Sequence, residues 1–448
     1  MCSLSLESSQ RKKIRFYNIK DIDNLPQLQK LSATERLAMK AVAEVLPFRT
    51  NNYVVEDLIN WNNIPDDPIF RLTFPHPSML PREDFNQMVK LLEQNAPRKA
   101  LQELANQIRR SLNPHPCGQQ EYNVPMLNSQ PIPGVQHKYR ETVLIFPTAG
   151  QTCHAYCTFC FRWPQFVGMD DLKFATRESG GFQEYLKHHR EVTDIILTGG
   201  DPMTMKARQL RLYIEPLLES GFEHIQNIRI GTKSLAYWPY RYVTDEDADE
   251  ILRLFEKVVQ NGKHLAIMSH YDHWKELDTP IAQKAIGHLR STGAEIRTQA
   301  PLVRHINDTE EVWVKMWQMQ VRLGCIPYYM FVERPTGAKH YFELPLVRAW
   351  EIFQKAIQKV SGLSRTVRGP VMSALPGKVI INGVAEVQDE KVLVLSFLQA
   401  RDSNWCHRPF FAQYDPNATW LTELTPAFGK EKFFYESRLQ EILTQASV

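Results

Sequence analysis

The stretch ETVLIFPTAGQTCHAYCTFCFRW, residues 141–163, joins an apolar segment to three of the chain's seven cysteines. Residues 141–148 predict a strand buried on both faces, because their apolar residues run almost without interruption. Cys153, Cys157 and Cys160 therefore lie in the loop that follows this strand. The other cysteines are scattered singly along the chain, which does not fit a disulfide framework. The cysteine triplet thus indicates a metal or redox site.

Beyond this stretch, short apolar strands alternate with longer amphipathic segments. The other predicted strands are residues 193–198, 227–232, 264–269, 294–300 and 326–332. Helical periodicity marks residues 204–219, 244–261, 279–292, 308–323 and 346–360. This alternation predicts an α/β fold with a partial (β/α)6 TIM-like barrel, in which functional groups lie at the carboxyl ends of the strands.

The two flanks of this central region have different patterns. Residues 1–140 predict a helical N-terminal region that ends in an irregular, proline-punctuated approach to the first strand. Residues 141–360 form the predicted barrel. Residues 361–448 predict a small β-containing C-terminal extension, with a closing helix after an antiparallel pair, KVIING and KVLVLSF, joined across Gly383 to Asp389.

Composition limits the class of protein. The net charge of +3 is too small to indicate a nucleic-acid partner or an anionic membrane surface. No apolar run approaches the roughly 20 residues that span a bilayer. The first residues lack the apolar core of a signal peptide. The sequence therefore predicts a cytoplasmic protein that binds neither nucleic acid nor membrane.

Three thiolates in one loop are compatible with three interpretations. A zinc site would combine the thiolates with His154 or a distant histidine, although zinc sites usually bring a second cysteine pair, which this chain lacks. Three buried and inert cysteines would be unusual in a hydrophilic loop. The favoured interpretation is a [4Fe–4S] cluster held by Cys153, Cys157 and Cys160, with one iron open to a substrate or cofactor.

The C-x3-C-x2-C spacing after the first strand resembles the signature of radical S-adenosylmethionine (SAM) enzymes. TGGDP, residues 198–202, follows the second strand and resembles the second signature of that superfamily. Within the superfamily the sequence is similar to the lysine 2,3-aminomutase family from about residue 45 to 397. The likeness is carried by an ordered series of motifs: DDP at 66–68, PGVQHKYRETVL at 133–144, CFR at 160–162, RIGT at 229–232, SH at 269–270, QAPLVRHIND at 299–308 and PYYMFV at 327–332.

The resemblance implies the cofactors and the residues that hold them. Cys153, Cys157 and Cys160 resemble the cluster ligands. The residues that match the surroundings of SAM are Gly199, Gly200, Asp201, Thr232, His270 and Gln299. In such enzymes the reduced cluster cleaves SAM to a 5′-deoxyadenosyl radical, which abstracts a substrate hydrogen, and pyridoxal 5′-phosphate (PLP) carries an amino group from C2 to C3. The resemblance also implies a low-potential electron donor such as flavodoxin or ferredoxin, and it is compatible with a homo-oligomer.

Retention of PLP depends on three basic residues. Lys378 stands where the family has its Schiff-base lysine, although the preceding turn is poorer in glycine than the family's. Lys138 matches one of two basic residues that hold the PLP phosphate in the family. The second position has Thr142, with Arg140 nearby as a substitute. Lys378 as an ordinary surface lysine at the start of a strand is the competing interpretation.

The substrate-binding positions depart from those of the lysine mutases. Arg162 falls where the family binds the substrate carboxylate, a task suited to the forked donors of a guanidinium. The family pairs the distal ammonium of lysine with two acids, but this chain has Glu333 at one position and Val371 and Ser373 around the other. An unpaired ammonium in a closed pocket is costly, so lysine itself is not the expected substrate. Arg334, if it points inward, favours a substrate with a second acidic group.

Two further interpretations concern metals and alternative functions. The C-terminal region has only Cys406 where some family members carry a zinc-binding cysteine cluster, so no structural zinc is expected. His270 and His273 could imitate a ligand pair, but a histidine beside SAM is the favoured role of His270. Two alternatives to the aminomutase stay open: a PLP-independent radical SAM enzyme that acts on a peptide or protein side chain, and a zinc-stabilised scaffold without enzymatic activity.

Overall fold

The computed structural model describes residues 12–118, 122–169, 171, 173–176 and 180–446. The strands in these residues are β1 (Phe16–Tyr17), β2 (Thr50–Asn51), β3 (Met126–Leu127), β4 (Gln130–Pro131), β5 (Val135–Tyr139), β6 (Thr142–Ile145), β7 (Asp194–Leu197), β8 (Asn227–Thr232), β9 (His264–His270), β10 (Glu295–Leu302), β11 (Ile326–Val332), β12 (Arg368–Ser373), β13 (Gly377–Val387), β14 (Glu390–Ala400) and β15 (Phe410–Gln413). The α-helices are α1 (Ala33–Val45), α2 (Pro68–Thr73), α3 (Arg82–Glu93), α4 (Arg98–Ser111), α5 (Gly180–His188), α6 (Ala207–Ile214), α7 (Ser234–Tyr237), α8 (Ala248–Gln260), α9 (Pro280–Ser291), α10 (Glu310–Arg322), α11 (Lys339–Phe342), α12 (Leu346–Gln358) and α13 (Glu436–Ala446).

One large mixed sheet organises the molecule. Its eleven strands lie in the order β15-β14-β13-β12-β11-β10-β9-β8-β7-β6-β5. Neighbouring strands from β6 to β12 are parallel, whereas β5 and the strands from β13 to β15 join by antiparallel pairing. Parallel neighbours need a crossover connection, and helices occupy these connections from β6 to β11. The fold is therefore mixed α/β, and the division of the chain at residues 140 and 360 stays a prediction.

The six strands expected from the sequence are β6 to β11, and they lie side by side in chain order. Their carboxyl ends therefore share one edge of the sheet, where the cysteine loop follows β6 and the TGGDP turn follows β7. The predicted helices are also present, in shorter form. In α8 the buried residues Ile251, Leu254, Phe255 and Val258 recur at helical spacing, so one face of the helix packs into the core.

Two local expectations need correction. Helix α5, between the cysteine loop and β7, was not predicted, because it is only nine residues long and begins with two glycines. The hairpin of the C-terminal extension is present as β13 and β14, but its turn is formed by Gln388 and Asp389, which both have positive φ. Gly383 lies inside β13 beside a register shift, where an extra residue interrupts the pairing.

The C-terminal strands have a hydrophobic core of their own. Its centre is Phe397 of β14, whose ring contacts those of Trp405, Phe410 and Tyr435. This cluster packs at the β15 end of the sheet, whereas β6, the strand before the cysteine loop, lies near the opposite end. In the part of the chain that the structure describes, no helix is long and apolar enough to cross a membrane.

Candidate active site

The three cysteines of the predicted cluster lie together in the loop after β6. Burial, followed by the negative charges of Asp201, Cys160 and Cys157, raises the pKa of Cys153 well above its usual value. Burial likewise raises the pKa of Cys160 to about 11. Thiolates crowded in this way are stabilised only when a cation sits among them, so the donor set fits a positively charged metal centre. Among the described residues, no three His, Cys, Asp or Glu side chains are grouped to hold one metal ion.

The N-terminal region holds the cysteine loop from outside the main sheet. Asn51 in β2 is fully buried, and its side-chain amide donates to the carbonyl oxygens of His154 and Tyr237, each at 2.9 Å. The backbone N–H of Tyr156 donates to the carbonyl oxygen of Arg49 at 2.8 Å. The loop that carries the cysteines is therefore fixed at its middle as well as at its ends.

The two glycines of TGGDP allow the turn after β7 to pass against the cysteine loop. Gly199 has a φ of +129°, and a Cβ there would lie 2.0 Å from Nε2 of Gln151. A Cβ on Gly200 would lie 2.5 Å from the backbone nitrogen of Thr152. The N–H of Asp201 donates to the carbonyl oxygen of Thr152 at 2.7 Å. Only glycine permits this close backbone contact between the turn and the loop.

The carboxyl group of Asp201 is 2% exposed and already accepts three hydrogen bonds. The donors are the N–H of Met203 at 2.9 Å, the hydroxyl of Thr232 at 2.6 Å and the N–H of Lys233 at 2.9 Å. Burial raises the pKa of Asp201 in spite of these bonds. The side chain of Asp201 therefore connects the TGGDP turn to the end of β8. Because this carboxyl is already bonded, a ligand would meet the backbone of the turn and not the Asp201 side chain.

His270 and Gln299, both expected near SAM, contact each other directly. They are paired residues on the adjacent strands β9 and β10, and Nε2 of Gln299 donates to Nε2 of His270 at 2.7 Å. Burial, then the charges of Lys233 and Arg162, lowers the pKa of His270 to about 3, so its imidazole is neutral. His273 has another task, because its Nδ1 accepts the N–H of Lys275 at 3.2 Å.

A buried ion network beside the loop escaped the sequence analysis. The ammonium of Lys233 lies 2.7 Å from Oδ2 of Asp272 and 2.6 Å from Oε1 of Glu276. Both carboxylates are fully buried, and Oδ1 of Asp272 has no hydrogen-bond partner among the described residues. In the sequence, the only sign of this network was the four-residue spacing of the two acids Asp272 and Glu276 in SHYDHWKE. It could not reveal that Lys233, from a different strand end, lies between them.

Arg162 and Arg334 lie on the same aromatic ring. The guanidinium carbons lie 4.9 Å and 4.1 Å, respectively, from the ring centroid of Phe161. Burial, then the charge of Arg334, lowers the pKa of Arg162 to about 9. No carboxylate among the described residues forms an ion pair with Arg162. Burial, then the charge of Asp272, raises the pKa of Glu333, the residue before Arg334, well above its usual value. Arg334 is half-buried, so two cations lie against the ring of Phe161.

Lys378 is half-buried at the start of β13. Its ammonium nitrogen lies 4.9 Å from the ring centroid of Tyr329 and 5.7 Å from that of Tyr139. The ammonium of Lys138 lies 5.3 Å from the same Tyr139 ring, so the structure brings the two lysines together. Burial, then the charges of several arginines, lowers the pKa of Lys378 to about 7. Arg140 is exposed and is not part of this group.

Comparison with known proteins gives relatives of one kind. The chain is 29% identical over 414 residues to the Aquifex aeolicus protein named "Putative L-lysine 2,3-aminomutase", and the match covers 92% of this chain and 97% of that protein. The L-lysine 2,3-aminomutase of Methanococcus maripaludis is 23% identical over 403 residues, 87% of this chain and 82% of that protein. That of Acetoanaerobium sticklandii is 29% identical over 233 residues, 52% of each chain. No family model matches the chain.

Among solved structures, SuiB of Streptococcus suis bound to its precursor peptide SuiA overlaps weakly, with a TM-score of 0.34 and 11% identity over 62% of this chain and 57% of that one. The sequence relatives carry the assignment instead. They indicate that this chain is an enzyme similar to the radical SAM isomerases. More particularly, it is a relative of the lysine 2,3-aminomutases along most of its length.

Proposed function

We propose that this chain is a radical SAM aminomutase that moves an amino group between C2 and C3 of a free amino acid with an anionic or hydrogen-bonding side chain. The observation that carries the proposal is the pair of guanidiniums, Arg162 and Arg334, on the ring of Phe161. One guanidinium suits the carboxylate that every amino acid has. The second suits a further acidic or polar group on the substrate.

We further propose that the six parallel strands β6 to β11 curve into a partial (β/α)6 barrel. Their sequential order and the shared edge of their carboxyl ends are the arrangement that such a barrel requires. A radical attacks almost any C–H bond, and a site inside a barrel excludes water and unintended partners. The buried positions of Asp272 and Glu333 are consistent with such an interior.

The residues present fit the cofactors that the resemblance implies. A [4Fe–4S] cluster would be held by Cys153, Cys157 and Cys160, which are close enough to affect one another's charge but are not grouped as ligands of a single ion. When bound, the cluster and SAM supply a carbon radical that removes a substrate hydrogen, and PLP supplies the group that carries the amine. An electron donor such as flavodoxin or ferredoxin completes the proposed system.

Several residues of the chain would orient SAM. The backbone of Gly199 and Gly200 faces the cysteine loop, and the carboxyl of Asp201 holds that backbone in place. Burial keeps the imidazole of His270 neutral, and the hydrogen bond from Gln299 fixes its orientation. These groups offer a preformed polar surface beside the thiols, so little ordering is needed when the ligand arrives.

Lys378 has the properties of a lysine that forms a Schiff base with PLP. A pKa of about 7 leaves much of its amine unprotonated, and therefore nucleophilic, at neutral pH. Lys138 lies beside the same Tyr139 ring and would hold the phosphate. The positive charge of Arg368 also reaches Lys378 and would attract a phosphate, whereas Arg229 is paired with Asp194.

The substrate proposal is tested by isotope transfer. Anaerobically reconstituted protein is incubated with SAM, dithionite, PLP and single amino acids deuterated at C3, and deoxyadenosine and products are analysed by mass spectrometry. We expect transfer from an amino acid with an acidic or amide side chain and a β-amino acid product. Efficient transfer from lysine would overturn the substrate assignment. Transfer from no free amino acid would favour a peptide or protein substrate.

The cluster is tested separately by iron and sulfide analysis. Cys157→Ala should lose the cluster and all SAM cleavage, since one of three thiolate ligands is gone. Cys406→Ala is the matched control, because Cys406 lies in the C-terminal extension, and it should retain both. An intact cluster in Cys157→Ala, or stoichiometric zinc in the native protein, contradicts the assignment.

A further inference from the structure

One hydroxyl group contacts the cysteine loop directly. The hydroxyl oxygen of Tyr237, in α7, lies 3.1 Å from Sγ of Cys157. Tyr237 is 1% exposed, so water does not compete for this contact. It was not among the residues that the sequence motifs singled out, because α7 follows β8 and Cys157 follows β6.

The direction of this hydrogen bond follows from the chemistry of a cluster ligand. A cysteine bound to iron is a thiolate and has no hydrogen to donate. The phenol of Tyr237 is then the donor and Sγ of Cys157 the acceptor. Hydrogen bonds to the sulfurs are among the factors that set the reduction potential of an iron–sulfur cluster.

Two further contacts hold the phenol in this position. The side-chain amide of Asn51 donates to the carbonyl oxygens of both Tyr237 and His154, so the tyrosine and the cysteine loop are fixed to the same group. The N–H of Tyr237 donates to the carbonyl oxygen of Lys233 at 2.9 Å. The distance between the phenol and the thiol is therefore set by the scaffold.

A cation lies over the ring of this tyrosine. The ammonium of Lys233 is 4.6 Å from the ring centroid of Tyr237, and Asp272 and Glu276 hold it there. A positive charge on the face of an aromatic ring is attracted by its electrons and withdraws them. The ammonium therefore adds a contact that holds the ring of Tyr237, and with it the hydroxyl, beside Cys157.

We propose that Tyr237 is a positioning residue that tunes the cluster: its hydroxyl donates to Sγ of Cys157 and raises the reduction potential, and Lys233 helps to hold the ring in place. The inference rests on the cluster part of the proposed function. Reduction by one electron adds negative charge that is shared with the ligand sulfurs, so a donor to Sγ stabilises the reduced state more than the oxidised state. The bond makes the cluster easier for a biological electron donor to reduce.

The test is the reduction potential of Tyr237→Phe, measured by titration with dithionite and redox mediators and followed by electron paramagnetic resonance. Removal of the hydroxyl should move the potential to a more negative value. We expect about tenfold less reduced relative to oxidised cluster at the midpoint of the native protein, which is a shift of about 59 mV for one electron. Tyr53→Phe is the control, because Tyr53 is also buried and donates or accepts with Thr279 at 2.7 Å, away from the cysteines. Its potential should equal that of the native protein.

A second variant covers the case in which Tyr237→Phe loses its cluster. Incorporation of 3-fluorotyrosine at position 237 keeps the hydroxyl and the shape but makes the phenol a stronger donor, so the potential should rise. An unchanged potential in a cluster-loaded variant at position 237, or an equal shift in Tyr53→Phe, would overturn this inference and leave the proposed function untouched. Native protein that binds no iron overturns the proposed function, and with it the premise of this inference.

Discussion

Thr232 donates its hydroxyl hydrogen to Asp201 across 2.6 Å, although the two residues lie 31 positions apart in the chain. The bond joins the turn after β7 to the end of β8, and the N–H of Lys233 reinforces it from the same strand end. The TGGDP turn also packs on the cysteine loop. The segments that follow the three neighbouring strands β6, β7 and β8 are therefore joined into one unit. The stability of this unit and its ability to bind SAM should therefore change together.

Asp201→Ala tests this coupling. Three buried donors lose their acceptor, and each unsatisfied donor costs roughly 1–3 kcal/mol. We expect the free energy of unfolding to fall by at least about 3 kcal/mol in urea titrations of the cofactor-free protein, and SAM affinity to fall with it. Asp249→Ala, at an exposed position of α8, should leave both unchanged. Weaker SAM binding with undiminished stability would show that the carboxyl acts on the ligand directly.

Gly200→Ala tests the contact between the turn and the cysteine loop. The added Cβ would lie 2.5 Å from the backbone nitrogen of Thr152, so the turn has to move away from the loop. We expect a loss of SAM affinity and of iron content, measured by calorimetry and metal analysis. Gly287→Ala makes the same chemical change in the middle of α9, where nothing lies within 4 Å. There the substitution should stabilise the protein by up to about 1 kcal/mol. Equal behaviour of the two variants would contradict the close packing.

Lys378→Met should reveal the cost of burying a lysine. The pKa of Lys378 is lowered from 10.5 to about 7, so below pH 7 both the folded and unfolded states are protonated and the folded state carries the full penalty. Between the two values only the unfolded state binds the proton, so the stability of the native protein rises with pH. Removal of the amine should therefore stabilise the cofactor-free protein at pH 7, by about 1.4 kcal/mol for each unit of depression. The advantage should shrink as the pH approaches 10.5.

The measurement is urea unfolding at several pH values, with Lys432→Met as the control at an exposed lysine. The control should show no comparable gain at pH 7. If Lys378→Met is no more stable than the native protein at pH 7, the amine is not held in a desolvated site.

Arg334→Leu tests the second cation of the pocket. For an anionic substrate, loss of one charge-assisted hydrogen bond costs roughly 1.5–3 kcal/mol, which is about ten- to a hundredfold in KM. Iron content and SAM affinity should stay the same, because Arg334 is not among the cluster or SAM residues. Arg348→Leu removes a guanidinium that is 38% exposed and bonded to Glu351 on α12, and it should leave KM unchanged. An unaltered KM in Arg334→Leu would remove Arg334 from the substrate site.

The strands that carry the site could be predicted because burial on both faces leaves an almost uninterrupted apolar run, as in β9 and β11. The helix α5 could not, since Gly180 and Gly181 weaken its helical signal and the segment is short. The turn of the C-terminal hairpin was misplaced because Gly383 resembles a turn residue, whereas Gln388 and Asp389 adopt the positive φ values themselves. Glycine in a sequence marks conformational freedom and not the place where the chain turns.

The sequence predicted the site residues that stand together in short motifs. It did not predict contacts between residues that follow different strands. Gly199, Gly200 and Asp201 stand in one short turn that the sequence displays directly. Lys233 meets Asp272 and Glu276 from 39 and 43 positions away, and these contacts depend on the order of the strands in the sheet. Tyr237 reaches Cys157 over 80 positions. A pattern in the sequence reports local spacing, so it gives no access to such pairs.

The bond from Asn51 to the carbonyl of His154 spans 103 positions and has a consequence for how the protein matures. The ribosome releases the chain from its N-terminus, so Asn51 emerges long before its partner exists. Until the cysteine loop and α7 have both been made, that amide has neither of its acceptors and the loop has no brace. Iron for the proposed cluster, if it were delivered to a nascent chain, would therefore meet thiols that are still free to move. Maturation of the proposed metal centre would then depend on closure of an earlier-made segment over a later one.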